Sequence, residues 1–199
     1  VSIGTSKDIN SLFSIGLNTK FAYSSLYLFN SFSVLLDMGV IYVYPEKNLI
    51  VNLLVKNFGY QLNPYYGDDR ELMPLEISFG VTNQLAHVPI RWHFNLQHVE
   101  TPQLNFDNTD NQNRITSDIL RHIVFGVEFL MHQNFNLFLG YNNRRRFEMI
   151  MSDRRGLVGF SYGLAFTIKR FTFTYSRSLN HFSGGISTFG VTTNLKNID

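Results

Sequence analysis

The chain has 199 residues, a formal net charge of +2, no cysteine, and nineteen Phe and ten Tyr against one Trp. That length suits one domain, the near-neutral charge does not suit a nucleic-acid binder, and the missing cysteine excludes a disulfide scaffold and a thiolate metal site. The aromatic excess is what strands and membrane girdles favour, and a cysteine-free chain suits passage through an oxidising compartment.

No window approaches the ~18 to 20 consecutive apolar residues of a transmembrane helix. The longest apolar stretch, Phe32 to Tyr44, is interrupted by Ser33, Asp37 and Gly39. Val1-Ser2-Ile3-Gly4 has neither the basic start nor the apolar centre of a signal peptide. An exported protein is then expected here as a processed form or a fragment.

Residues 1 to 10 carry no clear pattern. A first strand is expected over Leu12–Tyr23, with Phe13, Ile15, Leu17 and Phe21 on one face and Ser14, Gly16, Asn18 and Lys20 on the other. A second runs over Phe32–Tyr44, and Pro45-Glu46-Lys47-Asn48 has turn composition. A third, Leu49–Phe58, places Leu49, Val51, Leu53 and Val55 together. Pro74–Thr82 sets Leu75, Ile77, Phe79 and Val81 against Glu76, Ser78, Gly80 and Thr82. Ile90–His98 sets Ile90, Trp92, Phe94 and Leu96 against Arg91, His93, Asn95 and Gln97.

Further strands are expected over Ile119–Met131 and Phe135–Asn143. The most regular pattern follows. Val158, Phe160, Tyr162, Leu164, Phe166 and Ile168 alternate with Gly159, Ser161, Gly163, Ala165 and Thr167. Lys169-Arg170 turns the chain, and Phe171, Phe173 and Tyr175 alternate with Thr172, Thr174 and Ser176. That is a hairpin with one apolar face and one small, polar face. A last strand, Ile186–Leu195, brings the expected count to ten, with no convincing helix.

The connections sort by parity. The turn after the second strand, the Asn83–Pro89 link, His132–Asn134 and Lys169-Arg170 are the shorter ones; Ser24–Ser31, Gly59–Met73, Val99–Asp118, Arg144–Arg155 and Leu179–Gly185 are the longer. Outer-membrane barrels alternate short periplasmic turns with longer outer loops, whereas a soluble sandwich has no reason to. The fold class expected is all-β, a transmembrane antiparallel β-barrel. Alternation alone does not say which face points outward, and a soluble barrel fills its interior with the greasy face. Gly16, Gly80, Gly126, Gly140, Gly163 and Gly190 on the polar face suit a crowded lumen more than a solvated surface.

Candidate binding residues lie in the longer links. Arg144, Arg145 and Arg146, with Arg154 and Arg155 at the far end of the same link, can hold phosphates or carboxylates bidentately. The alternative is a solvated loop in which they pair with Glu148, Asp153 or an inward Glu128. Tyr65 and Tyr66 suit a protein interface or an aromatic girdle. Asp107 to Asn111 offers closely spaced oxygens, so calcium is conceivable, but the glycine and closing glutamate of an EF-hand are missing. The six histidines form no metal motif, no serine sits in a nucleophile elbow and no glycine cluster forms a phosphate loop. No catalytic, cofactor or metal residues are assigned, and no enzyme is expected.

A succession of segments carries a family resemblance: LVKNFGYQL (54–62), LMPLEISFGVTNQLAHVPIRWHFNLQHVE (72–100), LRHIVFGVEF (120–129), LGYNNRRRFEM (139–149) and DRRGLVGFSYGLAFTIKRFTFTYSRSLNHFSG (153–184). Over about Leu35 to Leu195 they resemble the PorQ family, outer-membrane proteins of the type IX secretion system of Bacteroidota. The resemblance implies a barrel similar to the fatty-acid-transporter type, usually of fourteen strands. Residues 1–199 are then expected to be a single outer-membrane barrel domain lacking its N-terminal strands. It further implies an anchor for the attachment complex at the bacterial outer membrane, through a PorZ-like surface protein, with the PorU sortase and PorV in the same complex. Outer-membrane lipid and lipopolysaccharide are implied neighbours. A barrel of the same fold passing small apolar molecules is the competing reading, for which Leu35, Ile41, Val43, Leu54 and Phe138 are candidate inward apolar groups.

Overall fold

The computed structural model describes residues 1–67, 70–101, 114–149, 156–181 and 184–193. Its strands are β1 (Ser2–Asp8), β2 (Phe13–Leu26), β3 (Phe29–Tyr44), β4 (Leu49–Asn63), β5 (Glu76–Gln84), β6 (Ile90–Leu96), β7 (Ile123–His132), β8 (Phe135–Asn142), β9 (Phe160–Ile168), β10 (Phe171–His181) and β11 (Gly184–Thr193). They form one antiparallel sheet in chain order, whose edges are β1 and β11. Two short helices interrupt the strands, α1 (Arg114–Arg121) and α2 (Asn143–Met149). No helix among the described residues is long and apolar enough to cross a membrane.

Four expectations are corrected. The sheet has eleven strands, not ten: Ser2–Asp8 has one large apolar residue, Ile3, and is strand because it pairs with β2 from Ser2↔Lys20 to Asp8↔Ser14. Two links expected to be longer are not: in Ser24–Ser31 Leu26 lies opposite Phe29 with Tyr27 at φ 56°, and in Leu179–Gly185 His181 pairs with Gly184. Ile119 and Leu120 end a helix instead of opening a strand, and Arg144, Arg145 and Arg146 lie on α2 instead of a loop. The Asp107–Asn111 stretch, Asp153, Arg154 and Arg155 lie outside the described residues.

The chain divides into two compact units, and the division runs through β5 after Val81 and through β6 before Leu96. The first unit holds β1 to β4. Its register stacks like on like: Phe13↔Tyr42, Ile15↔Val40, Leu17↔Met38 and Tyr23↔Phe32 share one face, while Gly16↔Gly39 and Asn18↔Asp37 share the other. Between β3 and β4 the pairing slips between Leu36 and Met38. Asn57 takes up the slack in the left-handed region, at φ 57°. One extra residue inverts the alternation. Leu49, Val51, Leu53 and Val55 therefore share the apolar face with Phe58 and Tyr60 beyond the bulge.

The second unit holds β7 to β11 with both helices. Phe125↔Tyr141, Val127↔Leu139 and Phe129↔Leu137 continue into Leu139↔Tyr162 and Leu137↔Leu164, then into Phe173↔Phe166 and Tyr175↔Phe189. The opposite face carries Gly126↔Gly140, Gly140↔Ser161, Ser176↔Gly163 and Thr174↔Gly190.

Burial is inverted relative to a water-soluble domain. Among the described residues the buried polar side chains are Ser31, Ser33, Gln61, Asp118 and Glu128, and Val158 is the buried hydrophobic one. Phe160, Tyr162, Leu164, Phe166 and Ile168 of β9, and Phe171 and Phe173 of β10, are all exposed. Among the described residues the apolar face therefore has no protein layer over it, and the small, polar face is the more enclosed.

Candidate functional site

The polar face of the first unit is organised on one carboxylate. Asp37 Oδ2 lies 2.7 Å from Lys20 Nζ and accepts from Asn18 Nδ2 at 3.1 Å, while Oδ1 accepts the backbone N–H of Asn57 at 2.9 Å. Lys20 also donates to Asn57 Oδ1 at 3.0 Å, and Asn57 Nδ2 donates to the Pro74 carbonyl at 3.0 Å. A charge placed opposite a bulge thus satisfies the backbone group that the bulge frees from the ladder. Lys56 and Glu76 pair at 3.0 Å, and Gln61 bonds Ser31 at 2.7 Å.

The second unit has its own centre. Glu128 is 5% exposed and accepts from Arg91 Nη1 at 2.9 Å and Asn136 Nδ2 at 2.9 Å. Arg91 also donates to Gln84, and His93 bonds Thr82 at 2.9 Å. Glu128, one of the carboxylates named as an alternative partner for the arginine cluster, is therefore paired with Arg91. Sequence reasoning did not single out Lys20, Asp37, Asn57 or Arg91. For Lys20, Asp37 and Arg91 the signal was available as charges on the polar parity of otherwise apolar strands, whereas Asn57 falls on the apolar parity of Leu49 to Val55 and gave none.

The arginines of α2 each have a different partner. Arg144 Nε meets Glu148 Oε1 at 2.7 Å, one helical turn on. Arg145 Nη1 donates to Ser178 Oγ at 2.6 Å and Asn180 Oδ1 at 3.1 Å, at the end of β10. Arg146 Nη1 donates to the Gly156 carbonyl. Among the described residues the side-chain partners of Arg145 and Arg146 are neutral oxygens. Ser178 shares its face with Ser161 and Ser176, which directs Arg145 toward the polar side of the sheet.

In the first unit Tyr66 is exposed and meets the Phe29 ring edge-on, with centroids 6.0 Å apart. Tyr65, beside it, is half-buried. The Arg70 guanidinium stacks over Tyr60 at 4.7 Å. The chain matches no family model and no curated protein.

Proposed function

We propose that this chain is part of an outer-membrane β-barrel that anchors a type IX secretion attachment complex, in the manner of the PorQ family it resembles, through a PorZ-like surface protein associated with PorU and PorV. The observation that carries the membrane half is the inverted burial. Large aromatic and aliphatic side chains in water forfeit about 1.5 to 3 kcal/mol each relative to burial, and hydrocarbon removes that cost. The paired charges of the opposite face then line the lumen. Backbone groups at a sheet edge cannot stay unpaired in lipid, so β1 and β11 either meet each other or are joined by further strands, as in a fourteen-stranded barrel.

The anchoring half rests on the resemblance and on the long connections. Those after β4, β6 and β8 are the long ones, the alternation that outer-membrane barrels give their outer loops. Arg144, Arg145, Arg146, Arg154, Arg155, Tyr65 and Tyr66 all fall in these connections. Purification of the full-length protein from outer membranes in detergent, with mass spectrometry of what accompanies it, tests the proposal. A large surface protein recovered together with a sortase is expected. The barrel recovered alone would overturn it.

One observation favours passage of apolar small molecules as a second reading. A cavity of about 400 Å³ on the first unit is lined among others by Gly16, Gly39, Ile41, Ile50, Asn52 and Leu54. It offers room and apolar contact for part of an acyl chain. A fatty acid or similar lipid in the purified barrel, without protein partners, would support that reading instead.

A further inference from the structure

The β2–β3 hairpin is longer than a membrane crossing requires. Its strands have 14 and 16 residues, about 46 Å or more of chain at ~3.3 Å per residue. Even tilted by ~40°, that outreaches an apolar band ~25 Å tall by roughly 10 Å. The outward face records where the band ends. Tyr23 and Phe32 pair across the hairpin as an aromatic rim, and the next outward pair is Ser25↔Asn30. Beyond that polar interval the chain becomes apolar again. Leu26, Tyr27, Leu28 and Phe29 are 69%, 92%, 76% and 43% exposed, and Tyr66, packed on Phe29, is 75% exposed.

We infer that this tip, Leu26 to Phe29 with Tyr66, is the docking point for the surface protein partner and enters an apolar cleft on it. The inference rests on the anchoring function proposed above and gives that anchor its contact. Taking about 150 to 250 Å² for a large side chain, the five residues expose on the order of 600 Å² of apolar surface. That is the upper end of what monomers leave uncovered and most of the ~800 Å² that each partner contributes to a specific interface. Charge selects protein over lipid headgroups as the occupant. No Lys or Arg occurs from Phe21 to Leu36, so the hairpin brings no counter-charge to the phosphates of an anionic leaflet. A neutral apolar contact also holds at high salt, unlike one made by the α2 arginines.

The test places a photo-reactive phenylalanine analogue at Tyr27 of the full-length protein in outer membranes, with a second probe at Phe166 on the apolar face. A discrete protein adduct from position 27, with lipid adducts from position 166, is expected. Tyr27→Ser combined with Leu28→Ser should lower co-purification of the same surface protein about tenfold or more, as loss of a central apolar anchor does, at low and at high salt alike. Tyr27 and Leu28 lie outside the β2–β3 ladder, which closes with Leu26↔Phe29, and unchanged protease resistance checks that the hairpin survives. Lipid adducts alone from position 27, or a partner recovered undiminished with the double variant, would overturn this inference and leave the anchoring reading standing. No partner with either protein would overturn both.

Discussion

Asp37 faces Asn57 across the β3–β4 bulge, and its Oδ1 accepts the Asn57 backbone N–H at 2.9 Å while its Oδ2 holds Lys20 at 2.7 Å. The carboxylate therefore serves a backbone donor and a cation at once. Asp37→Ala strands both and should cost about 2 to 3 kcal/mol, less than a fully buried pair because Lys20 keeps some solvent. Asp37→Asn keeps an acceptor for Asn57 and should cost about 1 kcal/mol. Urea unfolding in lipid vesicles ranks the two, and equal losses would mean that the bulge does not depend on this acceptor.

Two residues beyond the bulge, Gly59 packs its α-carbon onto β3 backbone. A methyl group there would strike the Val34 carbonyl oxygen and lie 2.7 Å from Leu35 Cα, neither of which can turn aside. Gly59→Ala should destabilise by about 3 kcal/mol, the upper range for overpacking. Gly16→Ala, whose nearest neighbours lie 3.9 Å away, should be within about 0.5 kcal/mol of the parent. The same unfolding measurement compares them.

These two positions mark where the sequence stopped being legible. The hairpin turning at Lys169-Arg170 could be read directly, because Phe166, Ile168, Phe171 and Phe173 hold period two on both sides of a two-residue turn. The bulge at Asn57 could not, since the apolar positions change parity between Val55 and Phe58 and the alternation breaks where the strand continues. β1 escaped because Ser2–Asp8 draws its strand character from pairing with β2. Ile119 and Leu120 looked like the start of a strand because eight helical residues are too few to establish a 3.6-residue period. Most partners of the charge clusters were hidden for a different reason. Arg145 meets Ser178 and Asn180, 33 and 35 residues away, and only the folded meander brings them together.

Glu128 and Arg91 should behave as a coupled pair. Removing Arg91 leaves a carboxylate 5% exposed with Asn136 Nδ2 at 2.9 Å and His93 Nε2 at 3.8 Å. Arg91→Met alone should cost about 3 kcal/mol, and so should Glu128→Met alone. Because the double variant leaves no buried charge, its cost should fall below the sum by more than about 1 kcal/mol. Additive losses in a double-mutant cycle would remove the coupling.

Glu100, past the end of β6, ties a loop to the start of β5. Burial alone would raise its pKa, but the Ile77 N–H at 2.7 Å and His98 Nδ1 at 3.2 Å favour the ionised form, and the net shift is below the ordinary 4.5. A carboxylate depressed on folding contributes stability above its unfolded pKa and loses it as pH falls through the folded one. The parent should therefore weaken below about pH 4.5, and Glu100→Gln should be less stable at pH 7 and lose less on acidification. Melting from pH 7 down to pH 3 reads both slopes, and parallel curves would deny Glu100 this role.

Charged substitutions on the two faces of β9 and β10 decide which face meets hydrocarbon. Leu164 lies mid-strand between Leu137 and Tyr175 and is 37% exposed, whereas Thr174 stands on the opposite face beside Gly190. If the apolar face lies in lipid, Leu164→Arg moves a guanidinium near the bilayer midplane and should cost about 2 to 4 kcal/mol. Thr174→Lys enters the polar side, where a cation can remain solvated, and should change stability by less than about 1 kcal/mol. A protein surrounded by water removes that penalty, because both positions are exposed and Leu164→Arg then adds a charge to a solvated surface. Unfolding of both variants in vesicles separates the cases, and Leu164→Arg proving as mild as Thr174→Lys would remove the membrane reading with everything built on it.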